Sequence, residues 1–125
     1  MAKLAMSYET YITSELWRRQ RVKWIGRNHP TQCWVCGGSW CPCDDVHHLT
    51  YIRLGYEENG DLVALCRACH EAIHIAFAHA REDHPSVTMR TVTNKVKKAY
   101  AVLGRLPGPT EVRFTERRRA RNLVP

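Results

Sequence analysis

The sequence has no apolar run approaching the roughly 18 residues that a membrane-spanning helix needs, which excludes a helical membrane span as a reading. Its start, MAKLAMSYETY, has no apolar stretch of signal-peptide length, so the chain is expected to stay in the cytoplasm where it is made. There is no internal repeat, which excludes a solenoid. Acid is the scarcer charge. Twelve Asp+Glu stand against 19 Lys+Arg, a formal net charge of +7 with histidine counted neutral. Such an excess suits a polyanion, nucleic acid before an anionic membrane, with a merely soluble basic surface as the plainer reading. At 125 residues the chain is expected to be one domain, able to bury only a modest core that a metal would reinforce.

What the sequence does have is six cysteines, and they fall in two clusters: CWVCGGSWCPCDDVHHLTY and DLVALCRACHEAIH. In a reducing cytoplasm such cysteines are expected to be metal ligands rather than disulfides. Cys33 and Cys36 form one C-x2-C knuckle and Cys66 and Cys69 another. Each pair can hold one side of a tetrahedral zinc at about 2.3 Å per sulfur, and four thiolates close the coordination sphere. The 29 residues between the pairs exceed ordinary zinc-ribbon spacing and imply an inserted hairpin. Cys41 and Cys43, with one residue between them, have poorer zinc spacing; they either replace a knuckle or remain free thiols.

Along the chain, residues 7–27 read as an amphipathic helix. Tyr8, Tyr11, Ile12, Leu16 and Val22 share one side, expected to pack on the core. Trp17 and Trp24 share another, either also core or a basic-aromatic surface flanked by Arg21 and Lys23. Pro30 stops that helix. DVHHLTYI reads as a strand and DLVAL, after the Asn59-Gly60 turn, as its partner. A helix follows to about residue 83, with Ile73 and Phe77 four apart. Another spans about 87–104, with Val92, Val96, Tyr100 and Leu103 at helical spacing. Residues 110–125, rich in arginine, read as a flexible basic tail outside a single domain of residues 1–109.

Four histidines remain in the clusters. His70 and His74 stand at i and i+4 on one helix face, a two-point metal grip, with Arg81 further along it. His47 and His48 lie on the strand that the zinc ties to this helix. The plainer reading of such a pair is a surface or core histidine couple.

VHHLTY and GDLVALCRACHEAIH, preceded by Cys33-x2-Cys36, resemble the cysteine-knuckle branch of the HNH endonucleases, found among phage, restriction and homing nucleases. The resemblance covers about residues 33–74. It implies an α+β fold: a small zinc-stapled ββα-metal (His-Me finger) core, about residues 33–83, with flanking helices. It implies His48 as general base, His47, His70 and His74 as ligands of a divalent metal, and Asp61 in the place where the family usually has a bracing Asn. Arg53 and Arg81 are candidate DNA contacts. In a regular strand His47 and His48 would point to opposite faces, so one shared site requires the strand to end or distort there.

Hydrolysing a phosphodiester needs an activated water and a counter-charge for the leaving oxygen. A neutral imidazole can take the proton, and a divalent metal can stabilise the oxyanion. The expectation is therefore a DNA endonuclease leaving 5′-phosphate and 3′-hydroxyl ends, with a structural Zn2+ and a catalytic Mn2+, Ni2+, Co2+ or Mg2+, in a site that Zn2+ can also occupy. DNA is the expected partner, with phage terminase or portal proteins as further candidates. The alternatives are a non-catalytic zinc-finger nucleic-acid binder and an RNA-directed nuclease.

Overall fold

A computed structural model describes residues 7–114. The element order is α1 (Tyr8–Tyr11), α2 (Glu15–Asn28), β1 (Asp45–His48), β2 (Leu62–Leu65), α3 (Arg67–Asp83) and α4 (Met89–Leu103), with short 3-10 turns at Asn59–Asp61 and Pro109–Glu111. Among the described residues this is a small mixed α/β architecture of four helices and one two-stranded antiparallel sheet. The chain divides after His70, inside the unbroken α3, into two compact units.

The helix expected over residues 7–27 is two helices. The Ser14 side chain accepts from the Trp17 amide at 3.1 Å, so it caps a new helix instead of continuing the old one. The expected faces also change. Trp17 and Trp24, two helical turns apart, are buried, while Ile12 and Val22 are exposed. The tryptophans therefore belong to the core and not to a nucleic-acid surface. Trp24 Nε1 donates to the Asn59 carbonyl at 3.2 Å, and Trp40 Nε1 donates to the Asp45 carbonyl at 2.9 Å. Buried indoles need such partners. Together with Tyr11, Val46, Leu62 and Ala64 they form the core of the first unit. Truncating either helix tryptophan to alanine is expected to cost about 3–5 kcal/mol. α2 ends where His29 takes a left-handed conformation, φ 47°, before Pro30.

β1 and β2 pair antiparallel with Asp45 opposite Leu65 and His48 opposite Leu62. β1 is shorter than DVHHLTYI suggested. The strand pairing stops at His48, and Leu49 N then donates to the Asp61 carbonyl at 2.7 Å before the chain turns away through Arg53 and Tyr56.

In the second unit, α3 buries Ile73, Ala76 and Ala80 along one stripe. α4 buries Met89, Val92 and Val96, while Leu103 is left exposed. Thr88 caps α4 at its start, accepting from Thr91 N at 3.1 Å. Gly104, φ 71°, ends it in the left-handed form that glycine adopts without a steric cost. The tail expected from residue 110 is folded at its beginning. Arg105 grips Glu111 through two bonds of 2.9 and 2.8 Å, Val112 is buried, and the Phe114 ring lies 5.3 Å from Lys95 Nζ. Apolar Val112 and Phe114 hold this stretch down, and the rest of the expected tail lies outside the described residues. No helix among the described residues is long and apolar enough to cross a membrane.

Candidate metal centres

The first cluster is built from two turns. Residues 33–38 form a tight knuckle: Cys33 N donates to the Gly38 carbonyl at 2.7 Å and Gly37 N to the Cys33 carbonyl at 2.9 Å, with Gly37 at φ 74°. Trp34 N donates to the Ala64 carbonyl at 2.9 Å, which ties the knuckle to β2. Cys66 and Cys69 lie where β2 gives way to α3. The outcome is that Cys33, Cys36, Cys66 and Cys69 each offer a sulfur within 4.8 Å of the others. This cysteine cluster could hold zinc or another structural metal.

The electrostatics of the cluster fit a cation. Burial pushes the Cys33 thiol up, but backbone hydrogen bonds from Cys36, Cys66 and Val35 outweigh it and bring it down to about 7. Burial then pushes Cys66 and Cys69 up, and the charge on Cys33 adds to both shifts. Four thiolates cannot share this space without a positive charge among them.

Cys41 and Cys43 form a disulfide, which corrects the expectation that every cysteine here is a ligand or a free thiol. Asp44 accepts from the Cys41 amide at 3.0 Å through its side chain, and Arg21 donates to the Pro42 carbonyl at 2.9 Å and also to that of Asp44. This loop conformation brings the two sulfurs together.

The second cluster contains histidines. Asp45 and His47, two apart on β1, share one face. The His47 ring lies 5.0 Å from that of His70, and His70 Nδ1 lies 3.0 Å from Asp45 Oδ2. His74 follows His70 by one turn of the same continuous helix. His47, His70 and His74 each offer a nitrogen within 4.8 Å of the other two. The three histidines are thus brought together, and Asp45 is a partner of His70 that the sequence reading did not assign. The i, i+2 spacing to His47 was a signal that could have found it.

His48 faces the other way, with Val46, into the core side of the hairpin. Its ring lies 4.5 Å from Trp17, 5.6 Å from Tyr8, 6.1 Å from Tyr11 and 6.0 Å from Tyr51. The residue is 1% exposed, and its Nε2 lies 2.7 Å from Glu57 Oε2. Tyr11 Oη donates to the same carboxylate, at 3.0 and 2.8 Å to its two oxygens. Burial pushes Glu57 up, but the bonds from His48 and Tyr11 outweigh it and hold the group below the ordinary carboxylate value. No spacing rule pointed to Glu57, nine residues beyond His48 in an irregular loop.

Asp61 is buried, and its carboxylate accepts from Arg53 at 2.8 and 2.6 Å and from Glu58 N at 2.9 Å. Its carbonyl accepts from Leu49 N at 2.7 Å, next to His48 in the chain. Asp61 thus braces the backbone that carries the histidine pair. Arg53, named from sequence as a DNA contact, is engaged in this brace. Arg81 is exposed in the last turn of α3, its guanidinium carbon 5.4 Å from the Phe77 ring centroid.

No family model matches the chain, and no curated protein matches it.

Proposed function

We propose that this chain is a metal-dependent HNH endonuclease with a ββα-metal core that hydrolyses DNA phosphodiester bonds. The observation that carries the reading is the His47, His70 and His74 cluster on a hairpin and helix joined by the four-cysteine knuckles. A pure zinc-finger binder has no use for a second, all-imidazole ligand set. The donor set fits a first-row divalent ion, because imidazole suits such metals and Asp45 orients one of the three rings. When bound there, the ion supplies Lewis-acid stabilisation to the phosphate and its leaving oxygen.

The protein groups do the rest. His48 takes the proton from the attacking water. Asp61 holds the backbone beside it through Leu49 N. The net charge of +7 draws the DNA in. The His48 ring is enclosed and lies on the face of β1 opposite His47, so proton transfer at a phosphate held by the three-histidine cluster requires the end of β1 to rearrange as well as the Tyr8 and Tyr11 side chains of α1 to give way.

The burial of His48 favours a second reading, a non-catalytic zinc-stapled nucleic-acid binder. One experiment separates the two. Zinc-loaded protein is offered supercoiled plasmid and total RNA side by side with manganese, beside His48→Ala and His47→Ala variants. The nuclease reading expects plasmid cleavage by the wild type and a loss of about 10²–10⁴-fold in His48→Ala, the range a general base supplies. Binding without cleavage of either substrate would establish the second reading. Cleavage of RNA alone would move the substrate class.

A further inference from the structure

We infer that Glu57 is a positioning residue that fixes the tautomer of His48, placing the ring proton on Nε2 and leaving the Nδ1 lone pair as the proton acceptor. The inference rests on the nuclease reading for its consequence, but its geometry stands independently. The Nε2–Oε2 distance is 2.7 Å, and both side chains are nearly sealed, at 1% and 2% exposure. A carboxylate can only accept. Tyr11 Oη already supplies one donor to Glu57, and burial together with the same carboxylate pushes that phenol up, so it keeps its proton. The second donor must come from His48, as Nε2–H.

The other ring nitrogen closes the argument. His48 Nδ1 is buried with no hydrogen-bond partner among the described residues. With one ring proton, held on Nε2 by a carboxylate that can only accept, Nδ1 carries none. That is the tautomer the Glu57 carboxylate selects. It leaves the lone pair, which is what a general base needs, on Nδ1. A carboxylate that orients an imidazole and selects its tautomer is a known way to make histidine an effective base.

Glu57 does not touch the reacting atoms. It acts through His48, and Tyr11 acts through Glu57. Removing the carboxylate charge while keeping the shape should therefore change turnover and not substrate capture. Glu57→Gln can donate or accept, so it no longer dictates which ring nitrogen carries the proton.

The test has two parts. The first is 15N NMR of the full, zinc-loaded chain with labelled histidine, without DNA. His48 is expected to show Nε2–H and a bare Nδ1 in the wild type, and a mixed or inverted pattern in Glu57→Gln. A wild-type His48 protonated on Nδ1 would overturn the inference, and this measurement holds even if the variant fails to fold. The second is steady-state plasmid cleavage. Glu57→Gln is expected to lower kcat about 10²–10⁴-fold, with KM within about twofold. Tyr11→Phe, which leaves Glu57 in place, is expected to keep the tautomer and lose less rate. Wild-type kcat in Glu57→Gln would overturn the role. A His48→Ala protein that cuts at the wild-type rate would instead sink the assignment of His48 as base, and the NMR result would be unaffected.

Discussion

Asp45 Oδ2 lies 3.0 Å from His70 Nδ1, and this contact joins the first residue of β1 to the first turns of α3. Arg67 Nη2 stands 3.5 Å from the other oxygen of the same carboxylate. The effect on His70 is directional. With Nδ1 held by Asp45, the nitrogen left to bind a metal is Nε2. A carboxylate behind a ligating imidazole fixes the ring and raises its basicity, and losing such a partner typically costs 10–100-fold in metal affinity.

Asp45→Asn is therefore expected to weaken manganese or nickel binding by about 10–100-fold while retaining the structural zinc. Isothermal titration of zinc-loaded protein measures the first, and metal analysis the second. Unchanged affinity would show that His70 is not a ligand, or that Asp45 does not orient it.

The four-cysteine cluster is expected to be a condition of folding. Zinc in comparable small sites contributes about 10–16 kcal/mol, as much as the whole stability of a typical domain. Cys69→Ser or Cys36→Ser should give protein that aggregates or loses its cooperative melt, and strong chelation of the wild type should do the same. A zinc-free Cys69→Ser protein with a cooperative unfolding transition would refute the structural role. Cys41→Ser should keep one zinc equivalent, because that sulfur pairs with Cys43 outside the cluster.

The knuckles, the hairpin, α3 and α4 were legible because each carries a local signal. C-x2-C spacing, the Asn59-Gly60 turn and the 3.6-residue period survive without tertiary knowledge. The pairing of His70 with His74 was legible for the same reason, since the two are one helical turn apart. What failed to show was what depends on contacts distant in sequence. The break at Ser14 competed with a plausible helical period, and the capping hydroxyl won. The burial of Trp17 and Trp24 in place of Ile12 and Val22 was settled by which face the hairpin covers. Glu57 reaches His48 from an irregular loop, and no pattern of residue types announces that. The Cys41–Cys43 bond depends on how Arg21 and Asp44 shape the loop. The direction of His48 follows the ordinary alternation of a strand; pairing ends at His48, yet that ending does not turn its ring to the face of His47.

That last point leads to a test of α1. The Tyr8 ring lies 5.6 Å from His48 and 4.3 Å from Tyr51, so it forms part of the enclosure. If removal of this wall exposes the base, Tyr8→Ala should cut plasmid several-fold faster than wild type at equal zinc content. A variant that folds normally and cuts more slowly would mean that the tyrosine assists the base instead of shielding it. Solvent access to His48, read by diethylpyrocarbonate modification at that residue, should rise in parallel.

The final prediction concerns metal preference. The three histidines that come together, His47, His70 and His74, offer only imidazoles. Magnesium favours carboxylates, carbonyls and water, and gives up its waters reluctantly. Imidazole suits manganese, cobalt and nickel better, with affinity rising along that series. A carboxylate swinging into the site would restore magnesium, but the nearby candidates are engaged elsewhere. Asp45 faces His70 and Arg67, and Asp61 is bound to Arg53 and Glu58 N. Cleavage is therefore expected at lower concentrations of manganese, cobalt or nickel than of magnesium. Zinc is expected to bind tightly without necessarily giving fast turnover, since affinity and rate are separate properties of the site. The measurement is plasmid nicking by protein stripped of loosely held metal, with its structural zinc verified, titrated with each ion in turn. Activity with micromolar magnesium and none with manganese or nickel would show that catalysis does not use the all-histidine site.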